Sequence, residues 1–162
     1  MFTADSIGVV HSPFSQANGT PIQPFAARGA RGTVEIFEPF AEGLCDLEGF
    51  DRIWMIYWCH RARAAQLMVI PYRDTLPHGV FATRAPSRPN PIGLSSVRLL
   101  EIEGRFLRVS EIDVLDGTPV LDLKPYVPQY DSYPHQRCGW LDRDEPLRNT
   151  RVADDRFERA RI

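Results

Sequence analysis

Short runs of alternating apolar and polar residues dominate the chain and predict β-strands. These runs are rich in Val, Ile, Phe, Tyr and Trp, and turn-forming residues separate them. They span residues 7–11, 32–37, 52–59, 79–83, 92–102 and 105–115. Glu103 and Gly104 separate the last two runs and predict a tight hairpin, because glycine readily adopts the positive φ that such a turn needs. A further turn is predicted at Asp116 and Gly117.

Helical spacing is confined to two segments. Residues 39–49 place Phe40, Leu44 and Leu47 at helical intervals and end at a glycine, while the charged residues 147–162 predict a surface helix. Neither segment belongs to the strand-helix-strand repeat of a doubly wound nucleotide-binding sheet. The pattern predicts a mainly β protein: a small closed or nearly closed β-barrel with long loops and one or two short helices.

The composition allows one compact domain. The chain has 162 residues, of which 43% are hydrophobic. We expect the barrel domain in residues 1–140 and a C-terminal tail with a short helix in residues 141–162. No apolar run approaches the roughly 20 residues that span a bilayer, and the first residues do not resemble a secretion signal. We therefore expect a soluble, cytoplasmic protein without membrane contact.

The cysteines and histidines do not predict a metal site. The three cysteines are widely spaced and form no C-x-x-C pair, which is typical of reduced thiols. His135 and Cys138 lie close in sequence, but no further ligand follows at metal-binding spacing. We expect no bound metal.

Charge is segregated along the chain, although the net charge is only −2. Residues 33–51 contain six acids and no base, whereas residues 61–88 contain five arginines and a single acid, Asp74. The base composition of the genome is an alternative explanation for the many arginines. Because the total charge does not attract nucleic acid, an RNA-binding function depends on the arginine-rich region.

A proline-rich loop follows the predicted strand at residues 79–83. Three prolines lie within residues 86–91, where they fix φ and restrict the residues before them. Arg84, Arg88 and Asn90 would therefore lose little conformational entropy on binding. Guanidinium groups suit phosphate or carboxylate, and an amide suits the edge of a base. We predict that these three residues bind substrate RNA; a stiff loop with solvated arginines is the alternative.

Polar residues also interrupt the apolar run at residues 113–126. Asp113 can accept hydrogen bonds from a ribose or an amino group, and Asp122, Lys124 and Tyr126 share one face if the segment is extended. Two interpretations remain open, a wall of functional side chains or a turn followed by a surface ion pair.

The aromatic run at residues 52–59 predicts a strand with two apolar faces. Trp54, Ile56 and Trp58 share one face and Tyr57 lies on the other, so packing is their expected role. His60 follows where this strand should end, a position that suits either ligand binding or a structural histidine.

Four motifs in sequence order resemble the TrmO/TsaA-like family of S-adenosylmethionine-dependent tRNA methyltransferases. They are IGVVHSP at residues 7–13, GVFATR at 79–84, RPNPIG at 88–93 and DGTPVLDLKPY at 116–126. The resemblance covers residues 7–130. It implies a β-barrel homodimer that binds S-adenosylmethionine and methylates the N6 atom of threonylcarbamoyladenosine beside the anticodon of tRNA.

The resemblance also implies residue roles. The positions that surround the cofactor in such proteins correspond to Pro21, Ile22, Gln23, His60, Arg61, Arg84, Leu94 and Asp113. We hypothesise that the acceptor contacts Asn90, Asp122, Lys124 and Tyr126 and that one of these side chains accepts the proton. We expect the protein to lack the additional C-terminal domain of longer bacterial members, which bears on the choice of tRNA.

Two alternatives to tRNA methylation remain open. One is a methyltransferase of the same fold with a different acceptor. The other is a regulatory module that binds S-adenosylmethionine without turnover.

Overall fold

A computed structural model describes residues 3–134, 136–143 and 152–158. Its strands are β1 (Gly8–His11), β2 (Arg31–Ile36), β3 (Arg52–Trp58), β4 (Met68–Val69), β5 (His78–Gly79), β6 (Ile92–Glu103), β7 (Phe106–Ser110) and β8 (Pro119–Pro125). Six of them close into an antiparallel barrel in the order β1-β2-β7-β6-β3-β8, while β4 and β5 form a separate ribbon. The predicted mainly β barrel is confirmed.

Side chains that alternate along the strands fill the barrel. The residues with no exposed surface are mostly β-branched, which suits the pleated interior of a sheet. They are Val10, Val34, Ile53, Met55, Val97, Leu107, Val109, Ile112 and Val120. Because the interior is packed with side chains, binding sites have to lie at the ends of the barrel or on its outer face.

Both predicted turns are present. Glu103 pairs with Phe106, so Gly104 and Arg105 form the two-residue loop between β6 and β7, and Gly104 has a φ of 60°. Gly117, in the turn before β8, has a φ of 74°. The two glycines supply the positive φ angles that these tight turns need.

The prediction of a strand at residues 79–83 was wrong. β5 ends at Gly79, and Val80–Ala82 form a 3-10 turn. Val80 is buried in a small second core with Val69, Ala85 and Phe157. The chain turns here because burial of Val80 against residues distant in sequence outweighs its preference for a strand.

Two further strand assignments differ from the prediction. The run predicted at residues 105–115 pairs only as far as Ser110, because Glu111 has a φ of 63° and the backbone leaves the ladder. Residues 119–125 form β8, which the alternating pattern did not identify, and β8 closes the barrel between β1 and β3. The partners of β8 are distant in sequence, so local alternation was a poor guide to it.

The helices are short. Residues predicted as one helix at 39–49 form the 3-10 helices Glu38–Leu44 and Leu47–Gly49, and Asp46 between them has a φ of 66°. The remaining helices are α1 (Pro128–Asp131) and the 3-10 helices Pro24–Ala26, Gly139–Arg143 and Asp155–Phe157. No helix within the described ranges is long and apolar enough to cross a membrane.

The described part of the C-terminal tail lies against the barrel domain. Within residues 152–158, Val152 bridges to Pro21, Glu158 bridges to Ala62, and Phe157 is buried. This stretch is therefore not the predicted surface helix; residues 147–151 and 159–162 of that prediction lie outside the described residues. The boundary at residue 140 stays a prediction.

Candidate functional site

A cavity of about 530 Å³ opens at one end of the barrel. The ends of β3 and β6, the proline-rich loop, the loop before β8 and the C-terminal tail line it. The predicted site residues that it brings together are Pro21, Ile22, Gln23, His60, Arg61, Arg84, Arg88, Asn90, Leu94 and Asp113. These positions are far apart in sequence, and closure of the barrel gathers them.

A hydrogen-bonded row of three side chains lies at the cavity wall. The Tyr57 hydroxyl lies 3.1 Å from Ser95 Oγ, and Ser95 Oγ donates to Asp113 Oδ1 at 2.7 Å. Desolvation raises the pKa of Asp113 to about 7 and outweighs the opposing effects of Ser95 and the Arg84 charge. The same cause raises the pKa of Tyr57 far above its ordinary value. Asp113 is thus a carboxyl group whose charge a cationic ligand can stabilise.

Gly93 makes this arrangement possible. A Cβ atom at position 93 would lie 2.2 Å from the ring of Tyr57. The tyrosine ring therefore packs directly on the backbone of β6 and brings its hydroxyl to Ser95.

Arg84 and Arg88 differ in their hydrogen-bond partners. Arg84 Nη1 donates to Gln23 Oε1 at 2.5 Å, which joins the proline-rich loop to the segment at Pro21–Gln23. Arg88 Nη1 donates to the carbonyl oxygens of Thr83 and Ala85, at 3.2 and 3.4 Å. In the part of the chain that the structure describes, neither guanidinium has a carboxylate partner. Both charges remain available to an anionic substrate, and Arg88 also braces its own loop.

His60 and Arg61 lie at the end of β3, where a ligand-binding position was predicted. His60 Nδ1 lies 3.4 Å from the Thr118 hydroxyl, and burial together with the Arg61 charge lowers the pKa of the imidazole. His60 is therefore neutral near pH 7. Arg61 forms an ion pair with Glu158 and donates to the Ser15 carbonyl oxygen at 2.5 Å, so it ties the tail to the cavity wall.

Cys59 does not have the properties of a nucleophile, although it lines the cavity. Desolvation raises the pKa of its thiol to about 12. The neutral thiol is a packing group at this position.

Asp122, Lys124 and Tyr126 do not lie among the described residues that line the cavity. Asp122 pairs with Ile56 and Lys124 with Trp54, which puts both on the outer face of the barrel. Lys124 Nζ lies 2.7 Å from Asp122 Oδ2, and the Tyr126 ring packs on Trp54 at 5.3 Å. The three side chains share one face, as expected, but it faces outward. Their part in catalysis stays a prediction, and within one chain they have the contacts of a surface ion pair and an aromatic pair.

Several cavity residues were missed. Tyr57 was assigned to packing alone, and Thr118, Tyr72, Phe157 and Glu158 were not assigned to the site, although all of them line the cavity. Glu158 is one of many charged residues near the C-terminus, so nothing in the sequence distinguishes it. Tyr57 could have been suspected, because it is the polar member of the inward face of its strand.

Among the residues described, no group of three or more His, Cys, Asp and Glu side chains could hold a metal ion. His135, which was considered as a ligand with Cys138, lies outside the described residues.

The chain is similar to known proteins over most of its length. Residues 9–132 match the family model described as the tRNA-methyltransferase O N-terminal domain. A Pyrococcus abyssi protein named probable S-adenosyl-L-methionine-binding protein is 51% identical over 151 residues, which are 93% of this chain and 82% of that protein. The Escherichia coli tRNA (adenine(37)-N6)-methyltransferase is 36% identical over 86% of this chain and 63% of that enzyme.

A solved structure has the same fold. The crystal structure of TrmO from Pseudomonas aeruginosa matches with a TM-score of 0.73 and 42% identity, over 86% of this chain and 62% of the other. The present chain thus spans less than two thirds of that protein and of the E. coli enzyme. From the motifs, the barrel and these identities together, the chain belongs to the tRNA-methyltransferase O N-terminal domain family.

Proposed function

We propose that this protein transfers a methyl group from S-adenosylmethionine to the N6 atom of threonylcarbamoyladenosine at tRNA position 37, in the cytoplasm. The observation that carries the proposal is the cavity, because it gathers all eight positions that the family resemblance assigns to the cofactor. The names of two relatives support the proposal in less detail. The P. abyssi protein is called a probable S-adenosyl-L-methionine-binding protein, and the E. coli enzyme methylates a tRNA adenine.

The cavity fits a cofactor of this kind. Its volume of about 530 Å³ is typical of small-molecule sites. Ile22, Leu94 and Leu115 give it apolar walls, and Asp113 offers a carboxylate to a cationic or hydroxyl-bearing ligand. When bound, S-adenosylmethionine supplies a reactive methyl group, so the main tasks of the protein are alignment and exclusion of water.

The rim of the cavity suits a nucleotide. Arg84 and Arg88 can bind phosphate or the carboxylate of the threonyl group, and Asn90 can contact the edge of the base. The prolines hold these residues in place before the substrate arrives.

Methyl transfer to N6 also needs a group that takes the proton. The hypothesised acceptors are Asn90, Asp122, Lys124 and Tyr126. Only Asn90 lies at the cavity of this chain, where the neutral imidazole of His60 and the carboxyl group of Asp113 are further groups able to take a proton.

We further propose a homodimer that buries the outer face of β3 and β6. Trp58 and Ile92 are a cross-strand pair, and Leu94 lies two residues along β6. Their exposed fractions are 38, 44 and 46%. Since Ile92 and Leu94 also line the cavity, a second subunit on this face would adjoin the cavity mouth. Asp122 and Lys124 of β8 lie on the same outer face and could then reach the partner's site.

Mass spectrometry of tRNA nucleosides tests the proposed reaction. Purified protein is incubated with S-adenosylmethionine and either tRNA that carries threonylcarbamoyladenosine or the same tRNA without this modification. We expect one added methyl group on threonylcarbamoyladenosine only. Methylation of the unmodified tRNA would indicate a different acceptor. Cofactor binding without any methylated nucleoside would support the regulatory module.

A further inference from the structure

Three residues at one end of the β4–β5 ribbon have exposed apolar side chains. We call this end the flap edge and define it as Leu67, Met68 and Phe81, whose exposed fractions are 67, 58 and 77%. The backbones of the three residues are near one another, because Met68 pairs with Gly79 and the Leu67 carbonyl oxygen accepts from Val80 N–H at 2.9 Å. Neither the packing of the barrel nor the cavity uses this edge.

Phe81 is presented on a well-supported turn. On one side of it, Val80 is only 1% exposed and belongs to the small second core. On the other side, Trp140 Nε1 donates to the Ala82 carbonyl oxygen at 2.9 Å, and Thr83 Oγ1 donates to the Val80 carbonyl oxygen at 2.9 Å. The neighbours of Phe81 are therefore held in place, while its ring faces solvent.

Phe81 is close in sequence to the arginines of the proline-rich loop. Arg84 follows three residues later, at most about 10 Å along the chain, and it lines the cavity together with Arg88. Neither arginine has a carboxylate partner in the described ranges. The one acid of the ribbon loop, Asp74, is engaged with His78 at 2.8 Å. An exposed aromatic ring close in sequence to guanidinium groups that form no salt bridge is a combination that suits unpaired nucleotides, through stacking and contacts with phosphate.

We propose that the flap edge is a stacking platform for an unpaired tRNA base that flanks the acceptor adenosine. This inference rests on the proposed function, because it takes the acceptor base to enter the cavity beside Arg84. Phe81 stacks on the neighbouring base, and Leu67, whose carbonyl oxygen is bonded to the residue before Phe81, extends the apolar surface. The platform positions the substrate and has no part in proton transfer or methyl transfer.

A fluorescent anticodon stem-loop tests the platform directly. The probe is a synthetic stem-loop RNA with 2-aminopurine, whose emission falls when it stacks, placed in turn on either side of the acceptor position. The variants are Phe81→Ala, Phe81→Leu and Phe81→Trp, with Phe40→Ala as the matched control. Phe40 is also an exposed phenylalanine, but it lines a separate groove near Leu44.

We expect RNA binding by the wild type to quench one of the two probes. Phe81→Ala and Phe81→Leu should remove the quenching and weaken RNA binding about tenfold, whereas Phe81→Trp should retain both. The affinity for S-adenosylmethionine should not change in any variant, and Phe40→Ala should behave as the wild type.

Three outcomes overturn the platform. One is equal quenching in the wild type and Phe81→Ala. Another is full RNA binding by Phe81→Leu, which would show that only apolar area matters. The third is a loss of self-association in Phe81→Ala, which would identify the edge as a protein contact. The fluorescence assay measures RNA binding and needs no methyl transfer. A wild type that binds the RNA and quenches the 2-aminopurine emission, but does not methylate the RNA, would therefore contradict the proposed function and not the platform.

Discussion

Asp113 combines a buried environment with a place at the cavity wall. Ser95 donates to its carboxylate and Arg84 contributes a favourable charge, yet desolvation dominates and raises its pKa to about 7. The folded protein therefore binds this proton more tightly than the unfolded chain does. Between the ordinary aspartate pKa, about 3.9, and the raised value, increasing pH ionises the group in the unfolded state first. Stability must fall across that window and level off above it.

Replacing Asp113 by Asn should remove this pH dependence. We expect the wild type to lose stability relative to Asp113→Asn between about pH 4 and pH 7, because the amide cannot ionise. Urea denaturation of both proteins across this range measures the difference. The same decline in both proteins would show that the pKa of Asp113 is not raised.

Gly93 should not tolerate a side chain. Gly93→Ala places a methyl group against the Tyr57 ring, so we expect a loss of about 1–3 kcal/mol in the free energy of unfolding, together with weaker cofactor binding. Gly43→Ala is the control, because a Cβ atom at that position meets nothing within 4 Å. Thermal denaturation and calorimetry with S-adenosylmethionine measure the two effects. Equal stability of both variants would mean that the ring can move aside at little cost.

At the scale of elements, the turn before the proline-rich loop depends on Thr83. Its side chain is buried, and Oγ1 donates to the Val80 carbonyl oxygen and accepts from Ala85 N–H at 3.2 Å. The hydroxyl thus joins the 3-10 turn to the segment that carries Arg84. Thr83 thus adds two hydrogen bonds to a turn that burial of Val80 also favours.

Thr83→Val keeps the shape of the side chain and removes both hydrogen bonds. We expect a loss of about 1–3 kcal/mol in stability, because Ala85 N–H is left without this acceptor, and a higher KM for tRNA. Thr75→Val, at an exposed position in the β4–β5 loop, serves as the control and should leave both quantities unchanged. Denaturant unfolding and steady-state kinetics separate the two effects. An unchanged KM with lowered stability would limit Thr83 to a structural role.

Several elements were predictable from the sequence because their causes are local. Alternation located β1, β2, β3 and β6 to within a residue or two. The turns at Gly104 and Gly117 followed from the conformational freedom of glycine. β8 and the turn at Val80–Ala82 were not predictable in this way, because distant strands and a small second core determine them.

At the scale of the whole molecule, apolar side chains on the outer face of β3 and β6 predict self-association. We expect light scattering to give the mass of a dimer, and Trp58→Asp and Ile92→Asp to shift it toward the monomer, since each puts a charge into the proposed interface. Phe106→Asp is the control, on β7 at a similarly exposed position. A wild type that stays monomeric at micromolar concentration would rule out the proposed dimer. It would also rule out a catalytic contribution of Asp122 and Lys124 from a partner subunit.

The sequence by itself determined the barrel class, most of the strands and the glycine turns, and it located the proline-rich loop that carries Arg84 and Arg88. Each of these follows from side-chain alternation or from the backbone properties of Gly and Pro within a few residues. The tertiary structure decided which side chains meet. Register placed Asp122 and Lys124 on the outer face, docking of the tail brought Glu158 to Arg61, and burial raised the pKa of Asp113. These outcomes depend on strand pairing and on exclusion of water by residues far apart in the chain, and neither is encoded in any short segment.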